Sequence, residues 1–300
     1  MKASHNKIRL SVGDSVFNVI NYILMAVLCF TTLYPFLYIL SLSLVSVDGA
    51  SAIQIGIIPK EVSFSNYQRV FQAKDIWSGF YNTIIRTVLG TSLQLLVMLF
   101  TAYPLSKKYF PHRTIWTMLI VFTMFFSGGL IPSYLLIKNL GLMDTVWALI
   151  LPGLIPTYNM IIMRNFFMSI PESLEESGRI DGANDFVILF RLIIPISKPI
   201  IATVVLWQMV AHWNAWFDCM IYITDLNKQV LQMVLRRVVL EGSQDIVDMT
   251  NTSILNDFKP SNPESIKAAT TMVATVPILL SYPFLQKYFV KGIMVGSFKG

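Results

Sequence analysis

The stretch "SIPESLEESGRIDGANDFVILFRLIIPISKP", residues 169–199, decides the fold. Its first half carries Glu172, Glu175, Glu176, Arg179, Asp181 and Asp185 in a chain that is only 13% charged, and strongly apolar runs lie on both sides of it. Ser169 followed by Glu172 is a capping-box spacing, and Pro171 is tolerated in a first helical turn. A short helix is therefore expected to begin here. It should end near Gly182, since glycine readily takes the left-handed conformation that closes a helix, and Asp181 or Asn184 can cap a second one. The expected shape is helix, sharp elbow, helix, leading into "LIIPISKP". Leu174, Ile180, Phe186 and Ile188 must then face protein or lipid. Three placements fit that shape: a solvated loop, an amphipathic helix on the headgroups, or a knob docked into a partner protein. The excess of acidic over basic residues weakens the second, because anionic lipid attracts Lys and Arg. A defined helical form favours the third.

Around this island the chain is apolar. Over 300 residues, 54% are hydrophobic. Runs of about twenty apolar residues recur, enough to cross roughly 30 Å of hydrocarbon. Ten-residue alternating segments, the mark of a membrane β-barrel, are absent. The chain is therefore expected to be an all-α membrane protein with about six transmembrane helices. These read Val16 to Leu44, Thr83 to Leu105, Ile115 to Ile137, Thr145 to Met163, Pro199 to Ile223 and Ala268 to Leu285. The first apolar run is far longer than a signal-peptide core and lacks a small-residue cleavage site, so it should stay attached. With the N-terminus inside, thirteen Lys and Arg gather on the cytoplasmic side, Lys107, Lys108 and Arg179 among them, against nine outside, most of these in two long loops. Both termini and the charged island are then cytoplasmic. The formal charge of +6 is explained by orientation, and no nucleic-acid partner is expected. Prolines and glycines inside the spans, as in "SGGLIP" (127–132) and "LPGLIP" (151–156), survive at membrane depth only against other helices or a water-lined cavity. Cys29 and Cys219 lie in apolar runs without ligand spacing and read as buried small hydrophobes.

"ESLEESGRIDGA…RLIIPISKP" resembles the cytoplasmic EAA loop of ABC importer permeases, and its "RIDGA" is similar to the carbohydrate-uptake branch. Matched position by position, Glu176 takes the place of the leading Glu, Gly182 of the glycine and Pro195 of the proline. Arg179, Ile180, Asp181 and Ala183 fill branch-specific places. Ser177 and Gly178 depart from two alanines, which leaves charge and shape but makes the first helix less stable. "IPKEVSFSNYQRVF" (58–71), "WNAWFD" (213–218) and "PFLQKYFVKGIMVGSFKG" (283–300) resemble further segments of the same family. "FSGGLIPSYLLIKNLGLMDTVWALILP" is similar to a Gram-positive branch that imports oligosaccharides released from complex polysaccharides. The resemblance implies the type I importer transmembrane domain over 16–300, after a cytoplasmic N-terminus at 1–15, with a coupling loop at 169–198 seated in a separate ATPase. The coupling residues implied are Glu172, Glu175, Glu176, Arg179, Asp181, Gly182, Ala183 and Pro195. Implied partners are a second homologous permease, two ATPase subunits, an extracellular solute-binding lipoprotein, a saccharide and the lipid of a bacterial plasma membrane. No GxxxxGK[ST] occurs, so ATP and Mg belong to the partner, and neither cofactor nor catalytic role is expected here.

A saccharide pathway wants aromatic plates beside amide, hydroxyl or imidazole hydrogen-bonders. In "LWQMVAHWNAWFD", Gln208 and His212 share one helical face with Trp216, and Trp207 and Asn214 lie at neighbouring angles. Tyr158 and Asn159 in the fourth span are candidate partners. An interhelical hydrogen bond accounts equally for Gln208 and His212. An outer aromatic belt accounts for Trp213, Trp216 and Asp218. Arg86, about one turn inside the outer face, reads as a snorkelling anchor. The alternative class is a secondary transporter, but Asp218 is the one acidic residue in any expected span and lies near an end, which makes a poor proton relay.

Overall fold

The computed structural model describes residues 11–45, 62–240 and 264–280. The closing segment 283–300, residues 1–10 and the end of the expected sixth span fall outside these. Among the described residues the structure is helical, and the isolated pairing of Val45 with Val62 is its one β feature. The chain divides into two compact units, 1–70 with 247–272, and 71–246 with 273–300.

In the first unit, α1 (Val12–Ser43) runs unbroken through Pro35, starting four residues before the expected span. The Asp14 carboxylate accepts the Ser11 N–H at 3.1 Å and closes its first turn. α1 is apolar around its whole circumference and exposed along nearly all its length. Cys29 is exposed there too, contrary to expectation, because among the described residues nothing covers that stretch of α1. α2 (Ser65–Gln72) is tied to the end of α1 by Asn66. Its buried amide donates to the carbonyls of Ser43 at 3.2 Å and Val45 at 2.9 Å. Both carbonyls lie where α1 has run out of partners, so the amide satisfies helix-end acceptors.

The second unit is organised around α3 (Lys74–Ser106), 33 residues and about 50 Å long at 1.5 Å per residue. Its Met98, Leu99 and Ala102 pack with Met160, Met163 and Phe167 of α7 (Thr157–Met168), Val204 of α11 (Lys198–Asn214), and Ile188 and Ile193. Small residues let backbones approach α3 closely. A Cβ on Gly79 would stand 3.1 Å from the Leu231 Cα of α13 (Leu231–Leu240).

Three expected spans are interrupted. The third is two helices, α4 (Arg113–Phe125) and α5 (Leu130–Asn139), set at 108°. The break is "FSGG", where Gly129 sits at φ +87° and ψ 177°, a conformation essentially reserved for glycine. The fourth is α6 (Val146–Ile150) with a 3₁₀ turn (Leu151–Gly153), bent by 51° from α7 around Pro152 and Pro156. The fifth stops at Asn214 and resumes as α12 (Phe217–Tyr222). The Gly and Pro clusters flagged in the sequence are therefore breaks in the helix rather than mild kinks.

A staple between loops was not foreseen. Asp144, at φ +56°, accepts from the Thr224 N–H and hydroxyl, each at 2.6 Å, and from the Asp225 N–H at 2.9 Å. These bonds, Thr224's hydroxyl first, hold its carboxyl below the usual range. A depressed carboxylate stabilises above the unfolded value of about 3.9 and loses that contribution as pH falls through the lower folded value. Asp144→Ala is expected to speed amide exchange at Thr224 and Asp225 near neutral pH without unfolding α3. Unchanged exchange would remove the staple's role.

Candidate functional site

The charged island forms α8 (Glu172–Ile180), then α9 (Asp185–Ile188), a π-helical turn (Leu189–Ile193) and α10 (Ile194–Ile196). The capping box does not form. Ser169 instead ends α7, its hydroxyl donating to the Phe166 carbonyl at 2.7 Å, and Pro171 takes the N-cap position of α8. Proline has no side-chain oxygen to cap with, so the helix starts at Glu172, two residues later than a box at Ser169 would place it, without a side-chain cap. The other end is as expected. Gly182 is at φ +81°, its N–H meets the Arg179 carbonyl at 3.0 Å, and the Ala183 N–H meets Gly178 at 3.0 Å, the paired bonds of a Schellman close. Asn184 caps α9, its side chain accepting the Val187 N–H at 2.9 Å.

Gly178 has a role the sequence did not suggest. It is buried where α8 meets the following limb, and a Cβ there would lie 2.9 Å from Leu192 Cδ1. Its lower helix propensity is offset by that close approach.

Most of the island's charges are engaged within the chain, with residues just past the end of α3. Glu175 is buried and bonded to the buried Lys107 ammonium, which also lies 4.7 Å from the Tyr103 ring centroid. Arg179 stacks on Tyr109, 4.6 Å from its centroid, and donates to the Tyr109 hydroxyl at 2.5 Å and to Asp185 at 2.9 Å. Burial, then the Asp185 charge, pushes the Tyr109 phenol up, so it stays a donor to Asp185, 3.2 Å away. Lys108 pairs with Glu172 at 2.8 Å; that hydrogen bond holds the Glu172 carboxyl below its usual range. The pair is exposed and adds little stability. Glu176, Asp181 and Gly182 are exposed, Ala183 is half-buried, and Pro195 is exposed in α10. Ile180 is 86% and Phe186 66% exposed, while Ile188 is buried in the core. α8 is thus clamped on one face and open on the other.

A second polar site lies far along α3. Gln94 donates to the Gly153 carbonyl at 2.8 Å, and its Oε1 is 3.1 Å from His212 Nε2. Because the Gln94 amide N–H is spent on Gly153, its oxygen must accept, which assigns the proton to His212 Nε2. Gly90 makes room for the imidazole: a Cβ there would be 2.6 Å from Nε2. Arg86 is 3% exposed and bonded to Asp218. It is no snorkelling anchor, because its head is turned into the protein towards a carboxylate. Asp218 for the same reason is more than part of an outer aromatic belt. Arg86, Gln94, Gln208, His212, Asp218 and Tyr222 help line a cavity of about 200 Å³. Gln208 is largely buried, and among the described residues its amide, at the cavity wall, makes no hydrogen bond.

Of the expected pathway residues, the structure brings only Gln208 and His212 to this cavity. Trp207 packs at the edge of the main core. The Asn214 amide donates to the Val210 carbonyl at 2.9 Å. Tyr158 is exposed and Asn159 half-buried in the first turn of α7. Trp216 lies under Arg236, 3.8 Å from its ring centroid. Sequence reasoning missed Gly90, Gln94 and the roles of Arg86 and Lys107. The available signal was a polar and small-residue series, Arg86, Gly90 and Gln94, at four-residue spacing inside an apolar helix.

Residues 76–295 match the family described as "Binding-protein-dependent transport system inner membrane component". Protein LplC of Bacillus subtilis (strain 168) is 41% identical over 285 residues, 95% of each chain. The polygalacturonan/rhamnogalacturonan transport system permease protein YtcP of the same organism is 38% identical over 287 residues, 96% of this chain and 99% of that one. A chain from the crystal structure of a bacterial ABC transporter involved in the import of the acidic polysaccharide alginate superimposes with a TM-score of 0.85 at 32% identity. That superposition covers 93% of this chain and 99% of the other.

Proposed function

This chain belongs to the inner membrane components of binding-protein-dependent transport systems, and from that premise we propose that it is one permease subunit of an ATP-driven importer of oligosaccharides released from polysaccharides. It is an all-α membrane protein with the type I importer permease fold. In the proposed assembly it pairs with a second homologous permease, and an extracellular solute-binding lipoprotein delivers the saccharide. Two ATPase chains in the cytoplasm bind ATP and Mg, and this chain holds no cofactor of its own. The membrane is the bacterial plasma membrane, with both termini and α8 on the cytoplasmic side.

The observation that carries this reading is the mounting of α8. One face is fixed to the end of α3 through Lys107 and Glu175, and the other presents Glu176, Ile180 and Asp181 to solvent. A capped helix held this way passes on a partner's displacement, whereas a loop would absorb it. ATP binding and hydrolysis then shift the permease pair between its two access states. The cavity beside Gln208 and His212 offers a free amide and an imidazole to solute hydroxyls. A secondary transporter is disfavoured, because Asp218 is already neutralised by Arg86 and leaves no free acid there to relay a proton.

The test is reconstitution with the partner permease, ATPase and a binding protein charged with oligogalacturonides. Uptake should require the ATPase; uptake without it would overturn the proposal. Gly182 gives a sharper probe. A Cβ there meets nothing of this chain within 4 Å, so within the subunit substitution acts first on the backbone. Left-handed geometry costs a non-glycine residue about 1–2 kcal/mol, and more for a β-branched one. Gly182→Val should lower binding-protein-stimulated ATPase activity and uptake by about tenfold. Gly182→Asn, which tolerates the same φ, should lose much less. Equal activity of the two would detach the elbow from coupling.

A further inference from the structure

We propose that Arg86 is a positioning residue for transport, bracing two broken spans against α3 beside the solute cavity; this rests on the functional reading above. Its Nη1 donates to Asp218 Oδ1 at 3.1 Å and to the Ala215 carbonyl at 3.3 Å, while Nη2 bonds Asp218 Oδ2 and reaches the Leu149 carbonyl at 3.5 Å. Ala215 is where α11 has ended and α12 has not begun. Leu149 stands just ahead of the 3₁₀ turn that contains Pro152. Carbonyls at helix ends have lost their intrahelical donors, and at membrane depth water does not replace them. One guanidinium therefore serves acceptors at the breaks of both the fourth and fifth spans. Gln94, two turns along the same helix, serves a third at Gly153.

The arrangement suits arginine in particular. A planar fork of donors can hold a carboxylate with two nitrogens and still reach carbonyls on either side, which a lysine ammonium cannot. Pairing with Asp218 removes the net charge that would otherwise be costly at that depth. The brace fixes the outer halves of two spans relative to α3, and with them the wall that presents Gln208 and His212. Arg86 need not touch the solute to govern how fast that wall completes its movement.

The test compares Arg86→Gln, Asp218→Asn, the double variant and Arg86→Lys in the reconstituted complex. Each neutralising single variant leaves an unpaired charge and should lower the yield of assembled complex. The double variant strands no charge, so it should assemble, and it should melt far closer to wild type than either neutralising single variant. Its maximal uptake rate should nevertheless stay roughly tenfold down, the equivalent of one lost hydrogen bond to a charged group, with KM unchanged. Arg86→Lys should fall between. A double variant that assembles and transports at the wild-type rate would overturn the brace. Amide exchange at 149–153 and 214–218 reads the same contacts whatever the solute: it should rise in the double variant, and an unchanged pattern would also overturn the proposal. Failure of the wild-type complex to import any oligosaccharide would instead strike the functional reading.

Discussion

Glu175→Ala is expected to reduce the yield of folded complex severely and to lower its unfolding temperature in detergent. The carboxylate is the partner of Lys107, and both side chains are about nine-tenths buried. Removing one member of such a pair strands a buried charge, at a cost of about 3–5 kcal/mol. The aromatic face of Tyr103 attracts the Lys107 ammonium but contributes only about 0.5–2 kcal/mol, too little to replace the carboxylate. Replacing both partners by methionine should restore most of the stability, because a packed apolar pair needs no desolvation of charge. Should Glu175→Ala purify and melt like wild type, the pair would not be what holds α8 to α3.

The second large effect is expected at Gly90. Glycine in the middle of a helix is ordinarily a liability of about 1 kcal/mol relative to alanine, so Gly90→Ala ought to stabilise if propensity alone mattered. The added Cβ would stand 2.6 Å from His212 Nε2 and 2.7 Å from Cε1. His212 is buried and bonded to Gln94, so the ring cannot give way without breaking that bond. Overpacking costs about 1–3 kcal/mol and the lost hydrogen bond about 1 kcal/mol more, which outweighs the gain in propensity. Gly90→Val should be worse than Gly90→Ala in both thermal stability and uptake. In a His212→Ala background the penalty of Gly90→Ala should vanish, a coupling that a double-mutant cycle measures directly. Additive effects would mean that the ring does not set the spacing of α3 and α11.

What the sequence revealed was local chemistry. Gly182 as a helix stop, Asn184 as a cap and the breaks at 127–132 and 151–156 follow from residues a few positions apart, whose preferences need no partner. The start of α8 misled for a related reason: Ser169 has two local uses, and ending α7 wins over capping a helix whose N-cap position Pro171 takes. Long-range pairings were invisible. Lys107 and Glu175 are 68 positions apart, and Arg86 and Asp218 are 132 apart. Nothing in a single chain's spacing says which cation meets which anion, so Lys107 counted only towards orientation and Arg86 only as an anchor. Helical angle along one span is all that the sequence offers for a pathway. Trp207 and Asn214 share the helical angle but do not line the polar cavity, because a cavity is made by several helices at once.

α3 carries Lys107 just beyond one end and Arg86 well along its length, 21 residues away. With no proline between them before Pro104, that stretch is a stiff rod about 30 Å long. A stiff rod magnifies rotation: tipping it by about 10° at its clamped foot carries a point about 30 Å off sideways by about 5 Å. In the proposed coupling cycle, a small rocking of α8 would become, at the polar cavity, a displacement comparable to the width of a sugar ring, with nothing in between needing to melt or refold.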